Sequence, residues 1–238
     1  MASIDLNVDL GELPAEPAEL FSLATTANIA CGGHAGDEAS MERSISRAIA
    51  QGTRIAAHPS YPDRAGFGRK TMSLAPAAIE HAVEAQCRAL ADVARRLGAT
   101  VTRVKPHGAL YHDAGKDAAI AAAVIDGALR GLGIAAAEAT IVGAPTSFLH
   151  TEAERRGAAY AREGFADRGY RADGSLVPRS EPGALLTDPE AAAQQALTLA
   201  RSGTIETLCV HGDTEDAVSI ATRVRAALTE AGLLSSGG

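Results

Sequence analysis

Tryptophan is absent from this sequence, and aromatic residues occupy only 3% of its 238 positions. The hydrophobic fraction of 46% is nevertheless sufficient for a large core, which must be built mainly from Ala, Leu, Ile and Val. The sequence also lacks a cluster of lysine and arginine, and its net charge is −7 with an isoelectric point near 5.5. Because phosphate binding needs basic patches and base stacking needs aromatic rings, these absences argue against a nucleic-acid partner.

Long apolar runs are missing too, and none approaches the roughly 18 residues expected of a membrane-spanning helix. The first residues, MASIDLNVDLGE, are acidic and lack a basic and apolar leader, so we do not expect a signal peptide. The cysteines Cys31, Cys87 and Cys209 are odd in number, lie far apart and form no CxxC motif. This usage is typical of reduced thiols, and we expect a cytoplasmic protein without a membrane partner.

Widespread catalytic motifs do not occur either. The sequence has no GxSxG, HExxH or GxGxxG. The segment GFGRKT ends in lysine and threonine but lacks the upstream glycine of a P-loop. If the protein uses ATP, it does not bind the nucleotide through a Walker A motif.

What the sequence contains instead is an alternation of short apolar runs with segments of helical periodicity. Near-continuous apolar runs are typical of parallel strands that are covered on both sides. The expected strands are residues 4–10, 28–31, 54–58, 101–106, 140–144, 159–165 and 207–211. The expected helices are residues 76–97, 116–132, 146–156, 188–203 and 215–231, with another ended by Gly52 and a short one near 16–23.

Strands that alternate with helices imply right-handed crossovers and a parallel sheet. About seven such units without a linker predict one α/β domain over residues 1–238, with 235–238 as a flexible tail. Seven repeats close more naturally as a (β/α) barrel of seven parallel strands, an irregular relative of the TIM barrel, than as an open sheet. The open sheet is the alternative.

Ionisable residues stand where these apolar runs end. Buried strands have no packing reason to finish on such groups, whereas the carboxyl ends of barrel strands meet around one mouth. We therefore expect an active-site cleft at that face of the barrel. Its expected catalytic residues are Asp9, His58, Lys105, His107, Glu163 and His211.

Polar residues alternate along the first strand, IDLNVDLGE, which places Asp5, Asn7 and Asp9 on one side. Because buried polar groups are costly unless hydrogen-bonded, we expect Asp5 and Asn7 to satisfy backbone groups at the barrel bottom. Asp9 and Glu12 lie near the strand end, where they can act as acid or base or hold a metal. Lys105 suits a carboxylate, a phosphate or an oxyanion, with a salt bridge inside the barrel as the alternative.

A second group of residues is expected to bind substrate, namely Glu12, Asn28, Gly33, His34, Arg168 and Asp213. Asp213 can instead cap the last helix, and Asp37 is expected to cap the helix that ends at Gly52. Two long connections, residues 59–74 and 166–187, combine glycines with arginines and are typical of lids or partner surfaces. The three cysteines are expected to be inert packing residues. The histidines expected at the solvated surface are His81, His112 and His150.

Six sequence strings together resemble the LamB/YcsF family, which is described as the A component of the prokaryotic ATP-dependent 5-oxoprolinase. The resemblance covers residues 4 to about 216, nearly the whole chain. The strings are DLNVDLGE, ANIACGGHAGD, AAHPSYPDRAGFGR, VKPHGALY, REGFADRGYRADGSLVPR and HGD.

This resemblance implies a seven-stranded barrel related to glycoside hydrolases and polysaccharide deacetylases. It also implies that the lactam of 5-oxo-L-proline is cleaved to L-glutamate, with hydrolysis of ATP as co-substrate (together with Mg²⁺) and with subunits B and C as partners. Deacetylase relatives use Asp and His as metal ligands, and Asp9 with two rim histidines could form such a site, so a bound metal is left open. The alternatives are a stand-alone metal-dependent amidase or deacetylase, and a substrate-binding subunit whose partners carry the catalytic groups.

Overall fold

Seven parallel strands close into a barrel in the computed structural model, which describes residues 3–214 and 216–235. Each strand pairs with the next one along the chain, and β1 pairs with β7 to complete the ring. The expected barrel is therefore confirmed, and the open sheet is wrong. The strands are β1 Asp5–Leu10, β2 Thr26–Ala30, β3 Arg54–His58, β4 Arg103–Val104, β5 Thr140–Gly143, β6 Ala159–Phe165 and β7 Thr207–His211.

Helices follow the strands and pack around the barrel. The helices are α1 Glu19–Leu23, α2 Glu38–Gln51, α3 Pro76–Arg96, α4 Gly108–Lys116, α5 Ala118–Leu132, α6 Phe148–Arg156, α7 Pro189–Ser202 and α8 Ala217–Glu230. Asp37 caps α2 as expected, because its side chain accepts from the Ser40 N–H. None of the helices within residues 3–214 and 216–235 is long and apolar enough to cross a bilayer.

Two expected elements differ from the structure. The helix expected over residues 116–132 begins at Ala118 as α5, because Asp117 leaves the helical conformation and its side chain caps the N-terminus of α5. The helix before it, α4, was not expected. The strand expected over 101–106 forms ladder pairs only at β4, although the N–H groups of Lys105 and His107 still donate to the Ala57 and Pro59 carbonyls. Glu215, at the start of the last expected helix, and residues 236–238 of the expected tail lie outside the described residues.

The apolar core lies between the strands and the surrounding helices. In β1 the residues Leu6, Val8 and Leu10 are fully buried in this layer, whereas the alternate residues Asp5, Asn7 and Asp9 carry polar groups to the other side. Barrel interiors are usually filled by branched apolar side chains. This barrel instead has a polar interior, and that interior leads to the candidate site.

Candidate active site

The bottom of the barrel interior is organised around Asp5. Its two carboxylate oxygens accept hydrogen bonds from the hydroxyls of Thr25, Thr26 and Thr207, at 2.6–2.7 Å. Arg54 donates to the same carboxylate at 2.7 Å. Burial alone would raise the pKa of Asp5, but the Arg103 charge and the threonine hydrogen bonds hold it below its usual value.

Asn7 lies one layer above Asp5 and joins four side chains. Its amide nitrogen donates to Thr207 and Glu163, and its oxygen accepts from Asn28 and Lys105. The expectation that Asp5 and Asn7 serve backbone groups is therefore wrong, because the partners of both are side chains. Thr207 and Asn28 lie on β7 and β2, the two strands that pair with β1.

Lys105 carries a buried positive charge in the middle of the barrel. Its Nζ lies 2.8 Å from Asp9 Oδ1 and 3.0 Å from Glu163 Oε1, so the expected salt bridge inside the barrel is present. Burial alone would lower the pKa of Lys105. The neighbouring Asp9, Cys209 and Glu163 outweigh burial, so this pKa is well above its usual value. Burial alone would raise the pKa of Asp9, but the charges of His58 and Lys105 outweigh burial and hold this pKa well below 3.8. The pair is therefore charged at neutral pH.

Cys209 belongs to this polar centre, which corrects the expectation that it only packs. Its Sγ lies 3.0 Å from Lys105 Nζ. One atom each of Asp9, Cys209 and His211 lie within 4.8 Å of one another. Alternation along β7 turns Cys209 to the same side as His211, two residues later, and that signal was available in the sequence. Burial raises the pKa of the thiol well above its usual value. Cys31 and Cys87 are buried in the apolar core, as expected.

Glu12 and three histidines form a second group at the strand ends, which we call the histidine cluster (Glu12, His34, His58 and His107). Glu12 Oε1 lies 2.8 Å from His34 Nε2, 3.2 Å from His107 Nδ1 and 3.7 Å from His58 Nε2. All four residues are buried. Burial raises the pKa of Glu12, but hydrogen bonds to His107 and His34 dominate and keep it far below its usual value. Burial lowers the pKa of His34 to about 4 despite its hydrogen bond to Glu12.

His211 and Asp167 form a dyad at the end of β7. His211 Nδ1 lies 2.9 Å from Asp167 Oδ1, and the His211 backbone N–H donates to Oδ2 of the same residue at 2.9 Å. Burial raises the pKa of Asp167, but the His211 charge and hydrogen bonds lower it, so the carboxylate fixes the proton on Nδ1. The sequence reasoning missed Asp167, although it follows β6 by two residues, in the position where a barrel strand delivers functional groups.

Cationic side chains surround the mouth above these groups. The cavity there is lined by Asp9, His58, Lys105, His107 and His211, five of the six expected catalytic residues, and by Tyr111, His112, Phe165 and the arginines Arg69, Arg168 and Arg179. Glu163, the sixth, lies below Lys105 as its ion-pair partner. His112 was expected at the solvated surface and is exposed, yet it also lines this mouth. Although the chain is acidic overall, positive charge is concentrated at this mouth. This concentration favours an anionic ligand.

The expected substrate-binding residues fall into different environments. Arg168 lines the mouth and donates to the Ala184 and Val177 carbonyls, which anchors the loop 166–187. Asn28 is fully buried and donates to Asp9 Oδ1 at 2.8 Å, so it positions the carboxylate. A side chain at Gly33 would overlap Ser60 and Gln86, so close packing explains that glycine.

Asp213 pairs with Arg69 of the loop 59–74. The expectation that Asp213 caps the last helix is wrong, because the residue at the N-cap position of α8 is Asp216, which makes no side-chain cap. The Arg69–Asp213 pair connects the loop 59–74 to the end of β7 across the mouth. Glu12 and His34 belong to the histidine cluster rather than to the cationic rim.

The model of the LamB/YcsF family matches residues 4–236. The chain belongs to the LamB/YcsF family. A lactam utilization protein from Thermus thermophilus has 34% sequence identity over 99% of this chain and 100% of its own, with a TM-score of 0.90. The two proteins therefore share this barrel closely.

More distant structures share the fold alone. A family 4 carbohydrate esterase from Streptomyces lividans has 13% identity over 99% of this chain and 92% of its own, with a TM-score of 0.53. A peptidoglycan deacetylase from Bacillus subtilis has 12% identity over 98% of this chain and 86% of its own, with a TM-score of 0.51. The expected relation to the deacetylase barrels is thus confirmed at the level of fold.

Proposed function

We propose that this protein is the A component of an ATP-dependent 5-oxoprolinase, which opens the lactam of 5-oxo-L-proline to L-glutamate together with subunits B and C. Membership of the LamB/YcsF family and 34% identity to a lactam utilization protein support this assignment. A hydrolase that acts on a cyclic amide also fits the groups at the mouth. The observation that carries the proposal is the charged Lys105, held beside Asp9 beneath the ring of histidines and arginines.

The proposed chemistry follows from the substrate. A lactam carbonyl is a weak electrophile and ring closure of glutamate is favourable, so the opening must be driven by ATP. In our proposal the amide oxygen takes the γ-phosphoryl group of Mg²⁺-ATP, and ADP leaves. Water then adds to the ring carbon, and the C–N bond breaks as nitrogen takes a proton, which leaves a γ-glutamyl phosphate. A second water hydrolyses this acyl phosphate, and phosphate leaves. The products are L-glutamate, ADP and phosphate.

The residues at the mouth suit the hydrolytic half of this sequence. Lys105 is a buried cation that can stabilise negative charge as water adds to the ring carbon. His211 is the general base that we favour, because Asp167 holds the proton on Nδ1 and leaves Nε2 able to accept one. Arg69 and Arg179 at the rim suit the carboxylate and phosphoryl groups of an activated substrate.

A reconstitution assay tests this assignment. Glutamate release should be measured with this chain alone, with B and C alone, and with all three, each with and without ATP. We expect turnover only from the complete set with ATP. Turnover by this chain alone, with a metal and without ATP, would show the stand-alone amidase instead.

Variants in the same assay separate catalysis from binding. We expect Lys105→Met and Asp9→Asn to lower kcat by about 100-fold or more, since the first removes the cation that acts on the reacting atoms and the second removes the carboxylate that holds this cation. Lys70→Met is the matched control, because Lys70 is exposed and lies outside the cavity lining. If both site variants keep near wild-type turnover while the isolated chain still binds 5-oxo-L-proline, this chain only binds substrate.

A further inference from the structure

When its imidazole rings are neutral, the histidine cluster has a proton arrangement that its own residues do not satisfy. His58 Nδ1 lies 2.7 Å from the backbone carbonyl of Lys105. A carbonyl oxygen only accepts hydrogen bonds, so the proton of a neutral His58 ring is on Nδ1. Its Nε2 then presents a lone pair to the interior of the cluster.

The neutral ring of His107 is held in the opposite tautomer to that of His58. Its Nε2 lies 3.0 Å from the backbone carbonyl of Phe67, so the proton of a neutral ring is on Nε2 and Nδ1 presents a lone pair. Phe67 holds this carbonyl in place from a left-handed backbone conformation, with φ of 54°, which is uncommon for a bulky residue and marks a constrained position.

Three electron-rich atoms therefore face one another in a buried space. His58 Nε2 and His107 Nδ1 are 3.0 Å apart, and Glu12 Oε1 lies 3.7 Å and 3.2 Å from them. Two lone pairs and a carboxylate oxygen at these distances repel one another unless a proton or a metal cation lies between them. This requirement is independent of the substrate and of the proposed function.

We propose that a divalent metal ion of the zinc type binds between His58 Nε2, His107 Nδ1 and Glu12 Oε1. A tetrahedral ion with bonds of about 2.0–2.1 Å needs its ligand atoms about 3.4 Å apart, which is close to the three separations in the cluster. The rings of His58 and His107 are perpendicular, at 88°, so one ion can lie in both ring planes. Two imidazoles and one carboxylate are a ligand set typical of zinc sites that keep a fourth position open for a water or a carbonyl oxygen, to which the ion supplies Lewis acidity.

His34 is excluded from the ligand set by the direction of its ring. It stacks on His107 with centroids 3.7 Å apart and an angle of 4°, and an ion cannot lie in the planes of two stacked rings at once. His34 Nε2 instead donates to Glu12, which is the kind of hydrogen bond that orients a metal-binding carboxylate.

Asp9 is not the carboxylate that we assign, although its Oδ2 lies 3.5 Å from His58 Nε2, because the Lys105 ammonium already pairs with it. Its Oδ1 accepts from Lys105 and Asn28, each at 2.8 Å. The Lys105 ammonium also lies 3.0 Å from Cys209 Sγ, so the group of Asp9, Cys209 and His211 needs no further positive charge. The carboxylate that carries the metal in our proposal is therefore Glu12, not Asp9.

Metal titration of the full chain tests the site without an activity assay. Protein stripped with a chelator is titrated with Zn²⁺ by calorimetry and with Co²⁺ by visible absorption. We expect one ion per chain with a Kd below about 1 μM, and the intense visible bands of a four-coordinate Co²⁺. A wild-type chain that binds neither ion would overturn the proposal. That result, with nitrogen NMR showing an imidazolium in metal-free protein at pH 8, would mean that a proton alone bridges His58 and His107.

Variants identify the ligands. We expect Glu12→Gln, His58→Gln and His107→Gln to weaken Zn²⁺ binding by at least about 100-fold, and His34→Gln to keep one ion with about 10- to 100-fold weaker binding. His81→Gln is the matched control, since His81 is exposed on α3 and should bind as the wild type does. Wild-type affinity in the three ligand variants would overturn the assignment.

A measurement on the wild type alone covers the case in which a variant fails to fold. X-ray absorption of the Co²⁺ or Zn²⁺ form should show only nitrogen and oxygen neighbours, with two imidazoles. A sulfur neighbour would place the ion at Cys209, and three imidazoles would make His34 a ligand, so either result overturns the proposed set. Zn²⁺ should also raise the Tm of the wild type and of His81→Gln, but not of those ligand variants that fold.

Discussion

Lys105 and Asp9 form an ion pair inside the barrel, with Nζ 2.8 Å from Oδ1 and both side chains nearly inaccessible to solvent. The two residues come from the ends of β4 and β1, which are 96 positions apart in the chain and do not pair in the sheet. Taking two charges out of water is costly, and the cost is offset only when other groups satisfy them. Asn7, Asn28 and Glu163 supply those partners, so the pair belongs to a continuous network.

Lys105→Met should destabilise the fold more than its loss of packing explains. The substitution leaves Asp9 and Glu163 as buried charges of like sign, and we expect the free energy of unfolding to fall by about 3–5 kcal/mol. The double variant Asp9→Asn/Lys105→Met should lose less than the sum of the two single variants, because it removes both members of the pair. Urea unfolding measures the free energy of unfolding of each single variant and of the double variant. The control Lys70→Met should lie within about 0.5 kcal/mol of wild type. Strict additivity would mean that the pair is not coupled.

Asp167→Asn should impair catalysis in the reconstituted enzyme without unfolding the barrel. An asparagine can donate to His211 Nδ1, which would move the ring proton to Nε2 and remove the base that we assign to it. We expect kcat to fall by about 10²- to 10⁴-fold with a smaller change in KM. Asp92→Asn, on the exposed side of α3, is the control. If kcat of Asp167→Asn stays within about threefold of the control, His211 is not the base.

The barrel and the composition of the mouth could be predicted because both follow from local pattern. Apolar runs alternating with helical segments imply parallel strands, and parallel strands in a closed barrel end at one face. Alternation within β1 likewise predicts that Asp5, Asn7 and Asp9 share a side. These inferences need only the period of a strand and the direction of the chain.

The partners within the site could not be predicted because they depend on how the strands are staggered around the barrel. Glu12 meets three histidines only because Gly11 turns the chain with φ of 74° after β1, and nothing local specifies that direction. Helix α4 was missed because its first residues continue the apolar run of VKPHGALY. The positions of Cys209 and Asp167, by contrast, could have indicated their roles. Cys209 lies two residues before His211 on the same strand, and Asp167 lies two residues after the end of β6.

Asp5 should make the stability of the protein depend on pH on the acid side. Its pKa is lower in the folded chain than its ordinary value of 3.8, so its contribution is fully present above about pH 4–5 and is lost as pH falls through the folded pKa. Asp5→Asn removes this contribution, which we expect to be about 2 kcal/mol near neutral pH. The difference from wild type in urea unfolding should shrink between pH 5 and pH 3, where protonation weakens the wild type. A difference that stays constant with pH would contradict this assignment, and Glu42→Gln on exposed α2 should show no difference.

Two glycines in helices should respond in opposite directions to the same substitution. Gly131 lies where α5 approaches α3, and a Cβ there would overlap the backbone carbonyl of Glu84 and the Cβ of Cys87. Because neither helix backbone can move away without disturbing the core, we expect Gly131→Ala to destabilise the protein by about 1–3 kcal/mol.

Gly115 in α4 is the matched case, since a Cβ there meets only ordinary contact with Ser147, at 3.7 Å. Alanine has the higher helix propensity, so Gly115→Ala should stabilise the protein by about 0.5–1 kcal/mol. Thermal and urea unfolding of the two variants measure both signs in one experiment. A neutral or stabilising Gly131→Ala would mean that the two helices are farther apart than the structure places them, and that the glycine does not set their approach.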